Sequence, residues 1–174
     1  SASSRIALIG LRGAGKSTLG QQLAAAKGLP FVELSRDIEQ IAGCGIAEIQ
    51  DMYGASAYRR YEHQALQQAI QDHSAAVIAT PGGLVTDPAN FTLLLTTCQS
   101  VWLQANPADH MQRVIQQGDF RPMAGSSEAM EYLKAILTAR EPFSSRAQFQ
   151  LDTSKQPLAE TLALLSSLVT PVLS

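Results

Sequence analysis

The chain has 174 residues, with 13 Lys and Arg against 15 Asp and Glu, for a formal net charge of −2. This length suits one domain, and the lack of a basic excess argues against nucleic acid binding by this domain. Two cysteines, Cys44 and Cys98, are too few for a disulfide framework and favour a reducing, cytoplasmic compartment. No apolar run approaches the ~18 residues of a membrane span, so no membrane partner is expected. We expect one domain over residues 1–174, and because no initiator Met is present we expect it to be cut from a longer chain.

The apolar pattern predicts short strands that alternate with helices. The predicted elements in chain order are strand 6–9, helix 16–27, strand 31–34, two or three helices laid end to end over 37–73, strand 77–80, helix 88–97, strand 101–103, helix 108–117, loop 118–127, helix 128–140, strand 149–151 and helix 158–169. Short strands that are apolar on both faces indicate a parallel sheet covered by helices on both sides. The sequence therefore predicts an α/β fold with a five-stranded parallel sheet.

Residues 10–17 read GLRGAGKS and match the pattern GxxxxGK[ST] between a predicted strand and a predicted helix. The glycines let backbone N–H groups turn towards a phosphate, and the helix N-terminus adds its dipole. Lys16 would reach the outer phosphates, and the Ser17 hydroxyl would join a Mg²⁺ shell. The alternative, a glycine turn that binds nothing, is rare in this context. The predicted nucleotide-binding residues are Gly10, Arg12, Gly13, Ala14, Gly15, Lys16, Ser17 and Thr18.

Further motifs follow along the chain. They are FVELSRDIE from residue 31, GASAYRRYE from residue 54, ATPGG from residue 79, RP at residue 121 and REPF from residue 140. With residues 10–17, they resemble the motifs of the shikimate kinases nearly end to end. The resemblance implies a three-layer P-loop NTPase fold with strand order 2-3-1-4-5 and a lid near residues 118–127. It also implies ATP and Mg²⁺ as cofactors.

The resemblance assigns an acceptor site to six residues, which are Glu33, Ser35, Arg59, Gly82, Gly83 and Arg140. Arg59 and Arg140 match arginines that hold the substrate carboxylate, which suits a guanidinium group that binds two oxygens at once. Gly82 and Gly83 match a loop whose bare backbone lies close to the substrate ring. A shikimate-like acid is therefore one expected ligand.

The resemblance also assigns residues to the side of the cleft that binds the phosphates of ATP. Arg121 matches the lid arginine that closes over the transferring phosphate, so Arg121 and Lys16 are the expected catalytic residues. Arg113 falls where a side chain stacks on adenine. Glu33 keeps a carboxylate where the family supports its metal, so Ser17 and Glu33 are the expected metal site.

The departures from the family lie on the acceptor side. Ser35 stands where the family has an Asp that orients or deprotonates the substrate hydroxyl, and a serine hydroxyl cannot act as a base near neutral pH. Ala55, Pro81 and Ser144 also replace family residues. The sequence leaves open whether the carboxylate of Asp37 compensates for Ser35.

These departures make the chain resemble one branch in particular, the C-terminal effector domain of helix-turn-helix regulators of benzoate degradation. That likeness implies a sensor domain of a transcriptional regulator that binds an acyl-CoA such as benzoyl-CoA, or ATP, through the P-loop. DNA would then be bound by a preceding helix-turn-helix domain. The alternative is an active shikimate kinase that converts shikimate to shikimate 3-phosphate. Ser35 separates the two hypotheses, and the Leu-rich helix near the C-terminus allows a homodimer.

Overall fold

The computed structural model describes residues 4–11, 15–106, 108 and 127–169. Most of the predicted helix 108–117 and of the predicted lid therefore lies outside the described residues. The strands are β1 (Ser4–Ile9), β2 (Phe31–Glu33), β3 (Ala75–Ala79), β4 (Gln99–Gln104) and β5 (Phe149–Asp152). The helices are α1 (Lys16–Lys27), α2 (Leu34–Ala42), α3 (Ile46–Asp72), α4 (Pro88–Thr97), α5 (Ser127–Ser144) and α6 (Leu158–Leu168), with a short 3₁₀ turn at Leu84–Thr86.

The five strands form one parallel sheet in the order β2-β3-β1-β4-β5, which confirms the predicted α/β fold and strand order. Successive side chains of a strand point to opposite faces of the sheet. In β1, Ile6 and Leu8 pack with residues of α1 and α6, whereas Ala7 and Ile9 pack with residues of α2, α3 and α4. Both faces are therefore covered by helices, as the apolar strands predicted.

Several elements differ from the prediction in their bounds or arrangement. Helix α2 begins at Leu34, earlier than predicted, because Leu34 and Ile38 are both buried in the apolar cluster on that face. Helix α2 packs against α3 and is not laid end to end with it, whereas the two segments of α3 on either side of Gly54 do follow each other end to end. Helix α3 bends at Gly54, whose φ of 87° is readily adopted only by glycine. Helix α5 continues to Ser144, since Pro142 in its last turn removes a single backbone donor.

No helix in the described part of the chain is both long and apolar enough to cross a bilayer.

Arg5 in β1 joins the ends of two helices. Its Nε donates to the carbonyl of His73 at 2.7 Å, its Nη1 to that of Thr97 at 3.0 Å and its Nη2 to that of Ile70 at 3.2 Å. These carbonyls belong to the C-terminal ends of α3 and α4, where a helix leaves acceptors unpaired and carries partial negative charge. One cation therefore holds both helix ends against the central strand.

Replacement of Arg5 by Met keeps the aliphatic stem and leaves the three carbonyls without this donor. We expect the free energy of unfolding to fall by about 2–4 kcal/mol, because hydrogen bonds from a charged group are among the strong ones. Urea denaturation of the two proteins measures the difference. The matched control is Lys155→Met, at an exposed position. Equal losses in both variants would contradict the role of Arg5.

Candidate active site

Three loops meet at one edge of the sheet. Strands β2, β3 and β1 are neighbours and run parallel, so their carboxyl ends lie side by side. The P-loop follows β1, Glu33 is the last residue of β2, and Gly82 and Gly83 follow β3. In open parallel sheets, ligands bind outside the carboxyl ends of the strands. This edge is therefore the candidate active site.

The described part of the P-loop has the backbone that its glycines predict. Gly10 has a φ of 141°, and Gly15, which precedes α1, has a φ of 93°. Lys16 is the first residue of α1, and its amine donates to the carbonyl of Gly10. The Ser17 hydroxyl donates to Oε2 of Glu33 at 2.7 Å. Ser17 and Glu33, predicted as the metal site, are thus in direct contact.

Arg59 from α3 and Arg140 from α5 converge on Gly83. A Cβ atom built on Gly83 would lie 3.1 Å from Nη2 of Arg59 and 3.5 Å from Nη2 of Arg140. Nη1 of Arg140 donates to the carbonyl of Gly82 at 2.9 Å, and Nη2 of Arg59 donates to the Thr86 hydroxyl at 3.2 Å. The structure brings together four of the six residues that were predicted as the acceptor site. A side chain at Gly83 would occupy the space between the two guanidinium groups.

The two guanidinium groups leave an excess of positive charge. Burial lowers the pKa of Arg140, and the neighbouring Arg59 lowers it further. Arg59 forms an ion pair with Glu62, whose side chain is fully buried, at 2.9 Å. Among the described residues, Glu62 is the only carboxylate in an ion pair with either arginine. An anionic group near Gly83 would relieve the remaining repulsion.

A buried polar cluster lies behind Arg59. Both Glu62 oxygens accept from Nη1 of Arg59, at 2.9 and 3.2 Å, and Oε1 also accepts from Nδ2 of Asn90 at 2.8 Å. Burial raises the pKa of Tyr58, and the Glu62 charge raises it further, so the Tyr58 hydroxyl keeps its proton beside this carboxylate. The guanidinium of Arg59 lies 5.3 Å from the centre of the Tyr58 ring.

Sequence reasoning assigned no role to Glu62, Asn90 or Tyr58. The spacing of Glu62, three residues after Arg59 on one helix, was the available signal for an ion pair. Asn90 had no such signal, because it follows Arg59 by 31 residues and meets it only through the packing of α4 on α3.

Ser35 lies in the first turn of α2 and is partly buried. The charges that act on Asp37 are those of His73, Arg36 and Asp72, and neither Arg59 nor Arg140 is among them. Burial raises the pKa of Asp37, and His73 is the largest opposing influence. The acceptor side therefore keeps a hydroxyl where the family pattern has a carboxylate.

Several predicted residues lie outside the described part of the chain. They are Arg12, Gly13 and Ala14 of the P-loop, with Arg113 and Arg121. Thr18 is exposed on the first turn of α1. Among the described residues, no three His, Cys, Asp or Glu side chains are grouped so that they would hold a metal ion.

The fold and this edge of the sheet define a P-loop kinase of small molecules. The sequence model described as shikimate kinase matches residues 12–168. A shikimate kinase of Synechococcus sp. strain CC9605 is 36% identical over 166 residues, which cover 93% of this chain and 82% of that protein. One of Paramagnetospirillum magneticum is 31% identical over 166 residues, covering 95% and 84%.

Solved structures of shikimate kinases are also similar to this chain. Shikimate kinase from Acinetobacter baumannii in complex with shikimate has a TM-score of 0.84 and 26% identity, and the match covers 95% of this chain and 92% of that one. Shikimate kinase from Bacteroides thetaiotaomicron has a TM-score of 0.83 and 26% identity, covering 94% and 97%. The chain belongs to the shikimate kinase family.

The prediction of a regulator's effector domain that binds an acyl-CoA is wrong. Relatives that match most of the chain at 31–37% identity are named shikimate kinase, and so are the two solved structures at 26% identity. These findings favour the alternative hypothesis. The substitutions on the acceptor side are local, whereas the likeness extends over nearly the whole chain.

The raised pKa of Tyr58 makes stability depend on pH at the alkaline end. Tyrosine in the unfolded chain loses its proton near pH 10.0, before Tyr58 does in the folded protein, so the free energy of unfolding falls as pH rises above that value. We expect the Tyr58→Phe variant, which keeps the ring, to lose stability less steeply. Urea denaturation between about pH 9 and 11 measures both slopes, and equal slopes would contradict the burial of this hydroxyl.

Proposed function

We propose that the chain is a working shikimate kinase with a weakened acceptor site. The reaction transfers the terminal phosphoryl group of ATP to a hydroxyl of shikimate, giving ADP and shikimate 3-phosphate and releasing the hydroxyl proton. The observation that carries the proposal is the convergence of Arg59 and Arg140 on Gly83, at the edge that also holds Lys16 and Ser17. A carboxylate receptor and a phosphate receptor then share one cleft. We assign this activity to a single domain over residues 1–174.

Arg59 and Arg140 would bind the carboxylate of shikimate. Each guanidinium group is already oriented by a second contact, with Glu62 for Arg59 and with the Gly82 carbonyl for Arg140. Preorganised donors lose little entropy when the acid arrives, and a guanidinium pair matches the two carboxylate oxygens. The bare backbone of Gly83 leaves room for the ligand between them.

The phosphate side would bind ATP through residues 10–18. Backbone N–H groups of Gly13 to Ser17 would surround the phosphates, Lys16 would leave the Gly10 carbonyl to reach the outer phosphates, and Thr18 would assist. The Ser17 hydroxyl and the Glu33 carboxylate are hard oxygen donors in contact with each other, which fits a Mg²⁺ site. When bound, the metal ion neutralises charge on the outer phosphates. We assign Arg113 to adenine and Arg121 to the moving phosphoryl group by family likeness.

Ser35 determines how the acceptor hydroxyl is handled. Within the described residues its own hydroxyl makes no side-chain hydrogen bond, so it is available to orient an acceptor hydroxyl. It cannot take the proton near neutral pH. Phosphoryl transfer passes through a loose transition state that depends mainly on positioning and charge, so activity survives without this base but is reduced.

A coupled assay with shikimate, Mg²⁺ and ATP tests the proposal. We expect slow turnover, at or below about 1 s⁻¹, near the lower limit for kinases, and none for Lys16→Ala. Ser35→Asp restores a base and should raise kcat on the order of 100-fold. Ser35→Asn, which has the same size without the carboxylate, is the matched control and should not. Absence of shikimate-dependent ADP release from the wild type would refute the proposed activity.

Gly83→Ala tests the carboxylate receptor separately. The added methyl group would press on both guanidinium groups, so we expect KM for shikimate to rise about tenfold or more while KM for ATP stays unchanged. Arg60→Ala, at the exposed arginine next to Arg59, is the control. If KM for shikimate did not change in Gly83→Ala, the acid would have to bind elsewhere.

Two properties stay predictions from the sequence, namely that the protein is cytoplasmic and that it forms a homodimer.

A further inference from the structure

Asn90 lies at the centre of the cluster behind Arg59. It belongs to the first turn of α4, and it is fully buried. Its Nδ2 donates to Oε1 of Glu62 at 2.8 Å and to the Arg59 carbonyl at 3.3 Å. Its Oδ1 lies 2.6 Å from Nδ1 of His63. One side chain thus joins three residues of α3.

The direction of each bond follows from the chemistry of the partners. The Glu62 carboxylate, which receives two bonds from Arg59, and the Arg59 carbonyl can only accept hydrogen bonds. The amide nitrogen of Asn90 must therefore face them, and its oxygen must face His63. An oxygen can only accept, so Nδ1 of His63 carries a proton whether the imidazole is neutral or charged.

This chain of bonds ends at the carboxylate receptor. Nδ1–H of His63 donates to Oδ1 of Asn90, and Nδ2 of Asn90 donates to Oε1 of Glu62. The same carboxylate accepts from Nη1 of Arg59. Nη2 of Arg59 is then directed at Thr86 and Gly83. Neither Asn90 nor His63 lies beside Gly83 itself, so both would act on the ligand through Arg59.

We propose that Asn90 and His63 are positioning residues that orient Arg59 for the substrate carboxylate through Glu62. This inference depends on the proposed function for its ligand but not for its geometry. His63 is only partly buried and lines an open cavity of about 500 Å³ between α3 and the start of α4, together with Arg60, Gln64 and Gln67 of α3. Replacement of His63 is therefore easier for the fold to accommodate than replacement of the fully buried Asn90.

The kinetic test uses His63→Leu and Asn90→Leu. Arg59 binds the carboxylate equally in the ground state and in the transition state, so its misplacement raises KM for shikimate and leaves kcat nearly unchanged. We expect KM to rise about five- to tenfold with kcat within about twofold. His63→Asn supplies an amide donor near the position of Nδ1 and should restore KM. Gln67→Leu, on the same helix and in the same cavity, should change neither constant.

The spectroscopic test needs no activity. Nitrogen-15 NMR of the wild-type protein should show His63 with its proton on Nδ1, and separate resonances for the Arg59 Nη atoms. In Asn90→Leu we expect the His63 proton to move to Nε2 and the Arg59 resonances to merge as the guanidinium rotates. Thermal unfolding of each variant verifies that it is folded.

Different results would contradict the proposed kinase activity and the positioning role of Asn90 and His63. If the wild type turns over shikimate and neither Leu variant changes KM, the positioning role is wrong and the proposed function stands. If the wild type shows no turnover, the proposed function is wrong, and the NMR result alone decides the positioning role. Arg59 resonances that are the same in wild type and Asn90→Leu would overturn it.

Discussion

The site depends on the parallel register of three neighbouring strands. Strand β1 lies between β3 and β4, and β3 lies between β1 and β2, so the carboxyl ends of β2, β3 and β1 meet at one edge. Glu33 lies at the end of β2, Gly83 follows β3, and Ser17 follows the P-loop of β1. An antiparallel neighbour would send one of these loops to the opposite edge. The contact between Ser17 and Glu33 is a direct consequence of this register.

The second constraint is electrostatic. Two guanidinium groups beside one glycine repel each other, and their burial requires a partner. Glu62 supplies one negative charge from behind, where it is fully buried and bonded to Arg59 and Asn90. In the described part of the chain, Arg140 has no carboxylate partner of this kind. Under the proposed function, the carboxylate of the ligand would supply the second negative charge.

The regulator hypothesis gave too much weight to Ser35. Loss of one carboxylate removes a proton acceptor, but phosphoryl transfer depends chiefly on charge and alignment, and these are provided by other residues. Arg59 and Arg140 still converge on Gly83 in spite of the substitutions around them, which is the arrangement that the proposed carboxylate site requires. A departure at a single position therefore changes the expected rate more than it changes the expected class of ligand.

The sequence by itself determined the α/β class and the pattern of the phosphate loop, since periodicity and a continuous glycine motif are local properties of the chain, while the strand order came from the family resemblance. The same resemblance selected Arg59, Arg140 and Gly83 as site candidates, through motifs that are each contiguous. Only the tertiary structure decided that the charge of His73 acts on Asp37, and that Asn90 and His63 support Arg59. These relations join residues on different helices. They depend on how α2 and α4 pack on α3, which no local pattern specifies.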